Sequence, residues 1–381
     1  MQRVYLFLTL SLAVLCSYAQ QYEYRIGKQT YKVDSVYEKI LAYENIGVKV
    51  TGSLAMDSAA VWMVNQYTAM GYTPTIDTFS VGSGVSYNIV VEKPGSVPGK
   101  WIIVGAHYDS DTKSPGANDN GSGVIATLEI ARIIKNIDTK IGVRIVNFGA
   151  EEQGYKGSIH YVNNKLDLSE DIQLMLNLDQ LGGSKGADNS KIICERDEDD
   201  FPANNNVLSA LKTDTLGRLM SVYSNLTPIL GTVERSDYLP FEDKGLVVTG
   251  LYQESDYPQY HTSQDITANM DTEATTEVIK GALGAVLYFA RIDIIVGVDE
   301  LESIPLLLYP NPAKGNITFH SENYSLHHIG ITNSLGQTVV STLIRPNEPY
   351  DVSQLSNGLY SVSIYAPGDA RKKYSKLIIA K

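Results

Sequence analysis

A chain of 381 residues is longer than one ordinary domain needs, and 43% hydrophobic content is enough to build a sizeable core. Its 31 Lys and Arg against 43 Asp and Glu leave a formal net charge of −12, which speaks against nucleic acid or an anionic membrane surface as partner. The 2 cysteines, Cys16 and Cys194, are too few to hold the fold by disulfides, so core packing and bound metal must do so.

The chain opens with Met1-Gln-Arg3, an apolar run from Val4 to Cys16, and Ser17-Tyr-Ala19, which together read as a signal peptide cut after Ala19. The apolar run is too short to span a bilayer, so no transmembrane anchor is expected. Leu15 before Cys16 does not fit a lipidation site, where a small residue precedes the cysteine. Residues 20–34 form a polar leader rich in Tyr and Gln.

From residue 35 to 293, apolar strand runs alternate with helix-period segments. Strands are expected at Tyr87 to Glu92, Trp101 to His107, Val143 to Phe148, Leu174 to Asp179 and Leu246 to Tyr252, with helices over Gly123 to Ile137 and Thr272 to Ile292. The alternation predicts an α/β fold, a three-layer α/β/α sandwich around a mostly parallel central sheet. In such sheets, sites form beyond the carboxyl ends of the strands. The polar stretch Ser184 to Asn205, with its acidic Glu195 to Asp200, reads as a surface excursion, with calcium binding as the alternative.

Five residues with metal-ligand side chains fall in five separate segments: His107, Asp119, Glu152, Asp179 and His261. His107 ends the apolar run Trp101-Ile-Ile-Val-Gly-Ala, and Asp109, two residues on, can accept its second N–H. Asp119 lies in a turn-forming stretch, Ser114-Pro-Gly-Ala-Asn-Asp119-Asn-Gly-Ser-Gly123, at a helix entrance, where a carboxylate can bridge two cations. The third strand, Val143 onward, ends in the adjacent carboxylates Glu151 and Glu152, which strand alternation sends to opposite faces, one toward metal and one toward substrate. Asp179 ends a fourth strand, and His261 sits in the polar Tyr260-His261-Thr-Ser-Gln-Asp265. Singly, each residue has a structural reading as a cap, turn or solvated group. Five of them at strand ends are better explained by a metal site.

The segments His107-Tyr-Asp109, Gly116-Ala-Asn-Asp119-Asn-Gly-Ser-Gly123, Glu151-Glu152, Asn177-Leu-Asp179 and Tyr260-His261-Thr resemble the M28 family of zinc peptidases, over roughly residues 35 to 293. Ser236-Asp237-Tyr238-Leu-Pro240-Phe241 resembles a further family segment but carries Tyr238 where histidine is usual. The resemblance implies two zinc ions, with Asp119 bridging, His107 and Asp179 completing one metal, and Glu152 and His261 the other. It implies Glu151 as general base, working on a hydroxide shared by the metals, and Tyr260 as a hydrogen-bond donor to the oxyanion. It also implies a cis peptide between Asp119 and Asn120, and a monomer.

These expectations describe a secreted di-zinc aminopeptidase acting on peptides with a free N-terminus. A glutaminyl cyclase shares the fold and resembles the chain in Asp119, Glu152 and His261 but uses one zinc; His107 and Asp179 favour the peptidase. A carboxypeptidase would need a basic cluster near these motifs, and the sequence places none there. A noncatalytic surface binding protein is the remaining alternative, and retention of Glu151 speaks against it.

After a linker at 294–302, residues 303–381 change character. Ile304 to Pro312 with its Tyr309-Pro310-Asn311-Pro312, Ile329 to Val340, Asp351 to Ile364 and Lys376 to Ile379 read as short strands punctuated by Pro, Asn and Gly, predicting a small all-β sandwich. This region resembles the C-terminal sorting domain of type IX secretion substrates. The resemblance implies the type IX machinery as a partner and release to the medium or the cell surface. An ordinary adhesion or carbohydrate-binding module is the alternative.

Overall fold

The computed structural model describes residues 33, 35–198, 202–292, 308–319, 326–333, 337–365 and 373–381. The expected signal peptide, nearly all of the polar leader and the linker lie outside these residues. The chain divides into two compact units between Ile294 and Ile295. Among the described residues, no helix is long and apolar enough to cross a membrane.

The first unit is built on an eight-stranded sheet. Its strands are β1 (Thr75–Val81), β2 (Gly84–Lys93), β3 (Lys100–His107), β4 (Gly142–Phe148), β5 (Asp171–Leu178), β6 (Lys191–Arg196), β7 (Thr227–Thr232) and β8 (Val248–Gln253). Their order is β1-β2-β4-β3-β5-β8-β6-β7. The central neighbours β4-β3, β3-β5 and β5-β8 are parallel, as is β6-β7 at one edge. The pairs β1-β2, β2-β4 and β8-β6 are antiparallel, so the sheet is mixed around a parallel centre.

The helices are α1 (Val36–Glu44), α2 (Leu54–Ala69), α3 (Gly121–Ile134), α4 (Lys156–Asn164), α5 (Asn206–Tyr223), the single turn α6 (Leu239–Glu242) and α7 (Thr272–Phe289). They cover both faces, and alternation along β3 shows why. Ile102, Val104 and Ala106 join the core beneath α3 and α7, while Trp101 and Ile103 join a second core that holds Phe148, Tyr161 and Phe241 on the α4 and α6 side. A strand buried on both faces can be apolar throughout, the pattern that made β3 to β5 readable. The fold is a three-layer sandwich.

Ser184 to Asn205 is not a surface excursion throughout: residues 184–190 are mostly exposed, but the segment that follows is not. Lys191–Arg196 is a sheet strand with Ile192, Cys194 and Glu195 buried. The polar residues around Cys194 hide a strand whose carboxylate is satisfied internally. Of the acidic run, Asp199 and Asp200 lie outside the described residues.

The second unit holds a three-stranded sheet, β13-β10-β9, and a four-stranded one, β12-β11-β14-β15. These strands are β9 (Leu308–Tyr309), β10 (Asn316–Phe319), β11 (His327–Asn333), β12 (Thr338–Ile344), β13 (Tyr350–Asp351), β14 (Gly358–Tyr365) and β15 (Lys373–Ile379). The sheets are antiparallel and share one core that includes Ile317, Phe319, Ile329, Val362 and Leu377, which makes this unit all-β.

Candidate metal centre

The parallel centre β4-β3-β5-β8 delivers the candidate side chains to one end of the sheet. His107 is the last residue of β3, Asp179 follows Leu178 at the end of β5, and Glu151 and Glu152 lie just beyond β4. Asp119 stands in the loop that enters α3, and His261 in the loop after β8. The peptide between Asp119 and Asn120 is cis.

Two glycines let these segments converge. A Cβ at Gly123 would stand 2.4 Å from both the Leu178 carbonyl oxygen and Asn120 Oδ1, so only glycine lets the start of α3 reach the end of β5. Gly116 has φ of +64°, and a Cβ there would meet the Asp119 carbonyl at 2.5 Å. Asn120 fastens the same junction: its Oδ1 accepts Gly123 N–H at 2.9 Å, and its Nδ2 donates to Leu178 O at 2.9 Å. Asn120, not Asp119, is therefore the helix cap, which frees the Asp119 carboxylate.

One oxygen of Asp119 faces each histidine. His107 Nε2 lies 3.2 Å from Asp119 Oδ1 and 3.3 Å from Asp179 Oδ1. His261 Nε2 lies 3.2 Å from Asp119 Oδ2 and 2.9 Å from Glu152 Oε2. His107, Asp119 and Asp179 thus form one group of metal-ligating side chains and Asp119, Glu152 and His261 another, each with its ligand atoms within 4.8 Å of one another. The first group is buried; in the second, Glu152 and His261 are half-buried.

Acidic groups crowd this space. Burial raises the Glu151 pKa well above the usual carboxylate range, with Asp237, Asp179 and Asp109 adding to the effect and His107 opposing it. Burial, then Asp119, push Glu152 up to about 8. Burial disfavours protonated His107, but Asp179, Glu151 and the nearby aspartates outweigh it and hold its pKa well above the histidine norm. A hydrogen bond to Asp119 raises His261 to about 9. Side chains alone balance this charge by sharing protons; divalent cations supply the same positive charge to a nitrogen and carboxylate donor set that suits zinc. The residues present fit such ions.

Around the clusters, the Asp109 carboxylate accepts Glu151 N–H at 3.0 Å on one oxygen and Glu152 N–H at 3.2 Å on the other. Its Oδ1 stands 3.6 Å from His107 Nδ1, a longer contact than the two amides make. Ser236 donates to Asp179 Oδ2 at 2.6 Å and accepts from Asn177 Nδ2 at 2.8 Å. Tyr260 stacks on the His261 ring with centroids 3.7 Å apart and is 46% exposed. Asp237 is fully buried, and burial raises it to about 7.

Glu151 and Glu152 do not diverge by strand alternation. β4 ends at Phe148, Ala150 has φ of +58°, and the turn, held by Asp109, sets their directions. Tyr238, in place of the usual histidine, donates its hydroxyl to buried Glu195 Oε1 at 2.9 Å and accepts Glu234 N–H at 2.9 Å. Two supporting residues were not recognised as site residues from the sequence. Asp265 is buried under the Asp119 loop, and Lys49 is buried with Nζ donating to the Gly47 and Pro115 carbonyls. The spacing of Asp265 four residues after His261 was the one available hint.

Comparison with known proteins gives the setting. Residues 88–286 match the model of Peptidase family M28, and residues 307–380 match the Secretion system C-terminal sorting domain. The chain is 30% identical over 225 residues to Leupeptin-inactivating enzyme 1 of Streptomyces exfoliatus, covering 57% of this chain and 47% of that protein. It is 36% identical over 150 residues to Aminopeptidase YwaD of Bacillus subtilis, covering 38% and 31%. The chain therefore spans less than half the length of these curated relatives. Among solved structures, a zinc aminopeptidase from Bacillus subtilis superposes with a TM-score of 0.59 at 18% identity, covering 67% of this chain and 94% of that one. A glutaminyl cyclase from Porphyromonas gingivalis superposes with a TM-score of 0.58 at 20% identity, covering 68% and 99%. At such identities the likeness concerns the fold, whereas the M28 match extends over more than half of the sequence. The chain belongs to peptidase family M28 and carries a secretion-system sorting domain at its C-terminal end.

Proposed function

We propose that the protein is a secreted aminopeptidase that binds two zinc ions and hydrolyses the N-terminal peptide bond of peptides with a free amine. The observation that carries this reading is the division of Asp119, one oxygen toward His107 and the other toward His261, with a separate carboxylate completing each group. His107, Asp119 and Asp179 would hold one ion, and Asp119, Glu152 and His261 the other. A metal pair of this kind lowers the pKa of water and polarises a carbonyl oxygen.

The chain's own residues do the rest. Glu151 takes a proton from the attacking water and returns it to the leaving amine, a role that its position beside Glu152, just beyond β4, allows. Asp109 fixes Glu151 and Glu152 together through their amides. Tyr260, steered by its stack on His261, offers its phenol to the oxyanion. The carboxylates that crowd the site, Glu151, Glu152 and Asp179 among them, offer the substrate ammonium its anchor. The N-terminal segment and the sorting domain support export by the type IX route, to the medium or the cell surface.

A glutaminyl cyclase is the second reading, favoured by the structural likeness to one. Leucyl, N-acetylated and N-terminal glutaminyl peptides, incubated with and without chelator and analysed by mass, separate the two. Release of the N-terminal residue only from the free-amine peptide, abolished by chelation, is the expected result. Loss of ammonia from the glutaminyl peptide would move the assignment to the cyclase, and no metal-dependent turnover would favour a binding protein.

A further inference from the structure

Asp265 lies outside both ligand groups, yet its carboxylate receives four hydrogen bonds in a fully buried position. Oδ1 accepts Asn118 N–H at 2.8 Å and the Tyr257 hydroxyl at 3.0 Å. Oδ2 accepts Asp119 N–H at 3.1 Å and the Ser114 hydroxyl at 3.2 Å. The Asp265 carbonyl also accepts Ala117 N–H at 3.2 Å. Every one of these donors except Tyr257 belongs to the loop that presents Asp119, while Asp265 itself belongs to the segment that presents His261.

We propose that Asp265 is a positioning residue that fixes the distance between Asp119 and His261, so that one carboxylate can serve both metal groups. The proposal rests on the two-metal reading above. Both oxygens of Asp265 are used, and each divides its bonds between two donors, so the loop is held in translation and in tilt. A carboxylate accepting from consecutive main-chain amides is among the stronger neutral-donor arrangements. Residues that orient metal ligands without touching the metal typically change metal affinity or activity by about 10–100-fold when replaced.

The test compares the full chain with Asp265→Asn, which keeps the shape but offers one acceptor oxygen where the carboxylate offered two. Three readouts are taken: stepwise affinity for zinc, the visible absorption of the cobalt(II)-loaded protein, and kcat and KM on a leucyl peptide. Expected for the variant are a native near-UV circular dichroism spectrum, a loss of about 10–100-fold in affinity for the weaker metal equivalent, an altered cobalt spectrum, and a lower kcat with KM little changed. Wild-type affinities and an unchanged cobalt spectrum in a folded Asp265→Asn protein would overturn the positioning role and leave the two-metal reading standing. A wild-type protein that binds only one equivalent would overturn both. If Asp265→Asn does not fold, Tyr257→Phe and Ser114→Ala each remove one donor; a shifted cobalt spectrum is expected from each, and unshifted spectra in both overturn the proposal.

Discussion

Ser236 donates its hydroxyl to Asp179 Oδ2 at 2.6 Å, leaving Oδ1 of the same carboxylate, 3.3 Å from His107, to face the metal group. The serine thereby decides which oxygen is left free for the proposed metal. Replacing it with alanine removes that decision and leaves the Asn177 amide without its acceptor. Ser236→Ala should lower metal affinity or kcat by about 10–100-fold without unfolding the protein. Isothermal titration of the metal-free variant with zinc, beside thermal unfolding, checks this.

Glu151→Gln keeps the turn, because Asp109 grips the Glu151 main-chain amide and not its side chain. The expected outcome is a fall in kcat of about 10²–10⁴-fold with zinc content unchanged. A variant that lost both metal and activity would place Glu151 among the ligands.

Tyr260→Phe and Tyr260→Ala separate the phenol from the ring. If the hydroxyl serves the oxyanion, phenylalanine retains the stack on His261 yet loses about tenfold or more in kcat. Equal activity in wild type and Tyr260→Phe, with loss only in Tyr260→Ala, would reduce the residue to a packing role.

The buried pair of Glu195 and Tyr238 predicts a pH signature in stability. Burial raises the Glu195 carboxyl from its ordinary 4.5 to about 8. Between those values the folded protein retains a proton that the unfolded chain has released, so this group's contribution is complete below about pH 4.5 and disappears as pH rises through 8. Glu195→Gln keeps an acceptor for the Tyr238 hydroxyl but cannot titrate. Relative to wild type, the variant's melting temperature should therefore improve from pH 5 to pH 8. A constant difference across that range would show that Glu195 is ionised in the folded protein.

Cys194 should be inert in the folded protein, because burial pushes its thiol up to about 12 and it is fully enclosed. A disulfide reagent added to the chain without residues 1–19 should react only as the protein unfolds, with a rate that zinc slows by stabilising the fold. Fast stoichiometric labelling in native buffer would contradict the burial.

The candidate ligands His107 and Asp179 could be placed from the sequence because a largely apolar strand ending in His or Asp is a local pattern, as in Trp101 to His107 and Leu174 to Asp179. Where a site residue depends on partners distant in sequence, the pattern falls silent. Glu195 looked solvated because nothing nearby reveals that Tyr238 satisfies it, and β6 was lost with it. Asp265 resembled a loop aspartate, since its four donors come from 114–119 and from Tyr257. Strand alternation was the wrong guide for Glu151 and Glu152, because Ala150 adopts a left-handed conformation before them. The Asp119 loop was legible for the opposite reason: Gly116 and Gly123, which make room for it, lie within four residues of the proposed ligand.

The two amide hydrogen bonds of Asp109 tie the proposed base and a proposed ligand to one anchor. Backbone displacement there cannot detune Glu151 and spare Glu152, or the reverse. A change at Asp109 is therefore felt at both carboxylates at once, so proton transfer and metal retention should fall together in any variant that displaces this turn. Zinc content and kcat, followed side by side across a series of such variants, would then decline in step.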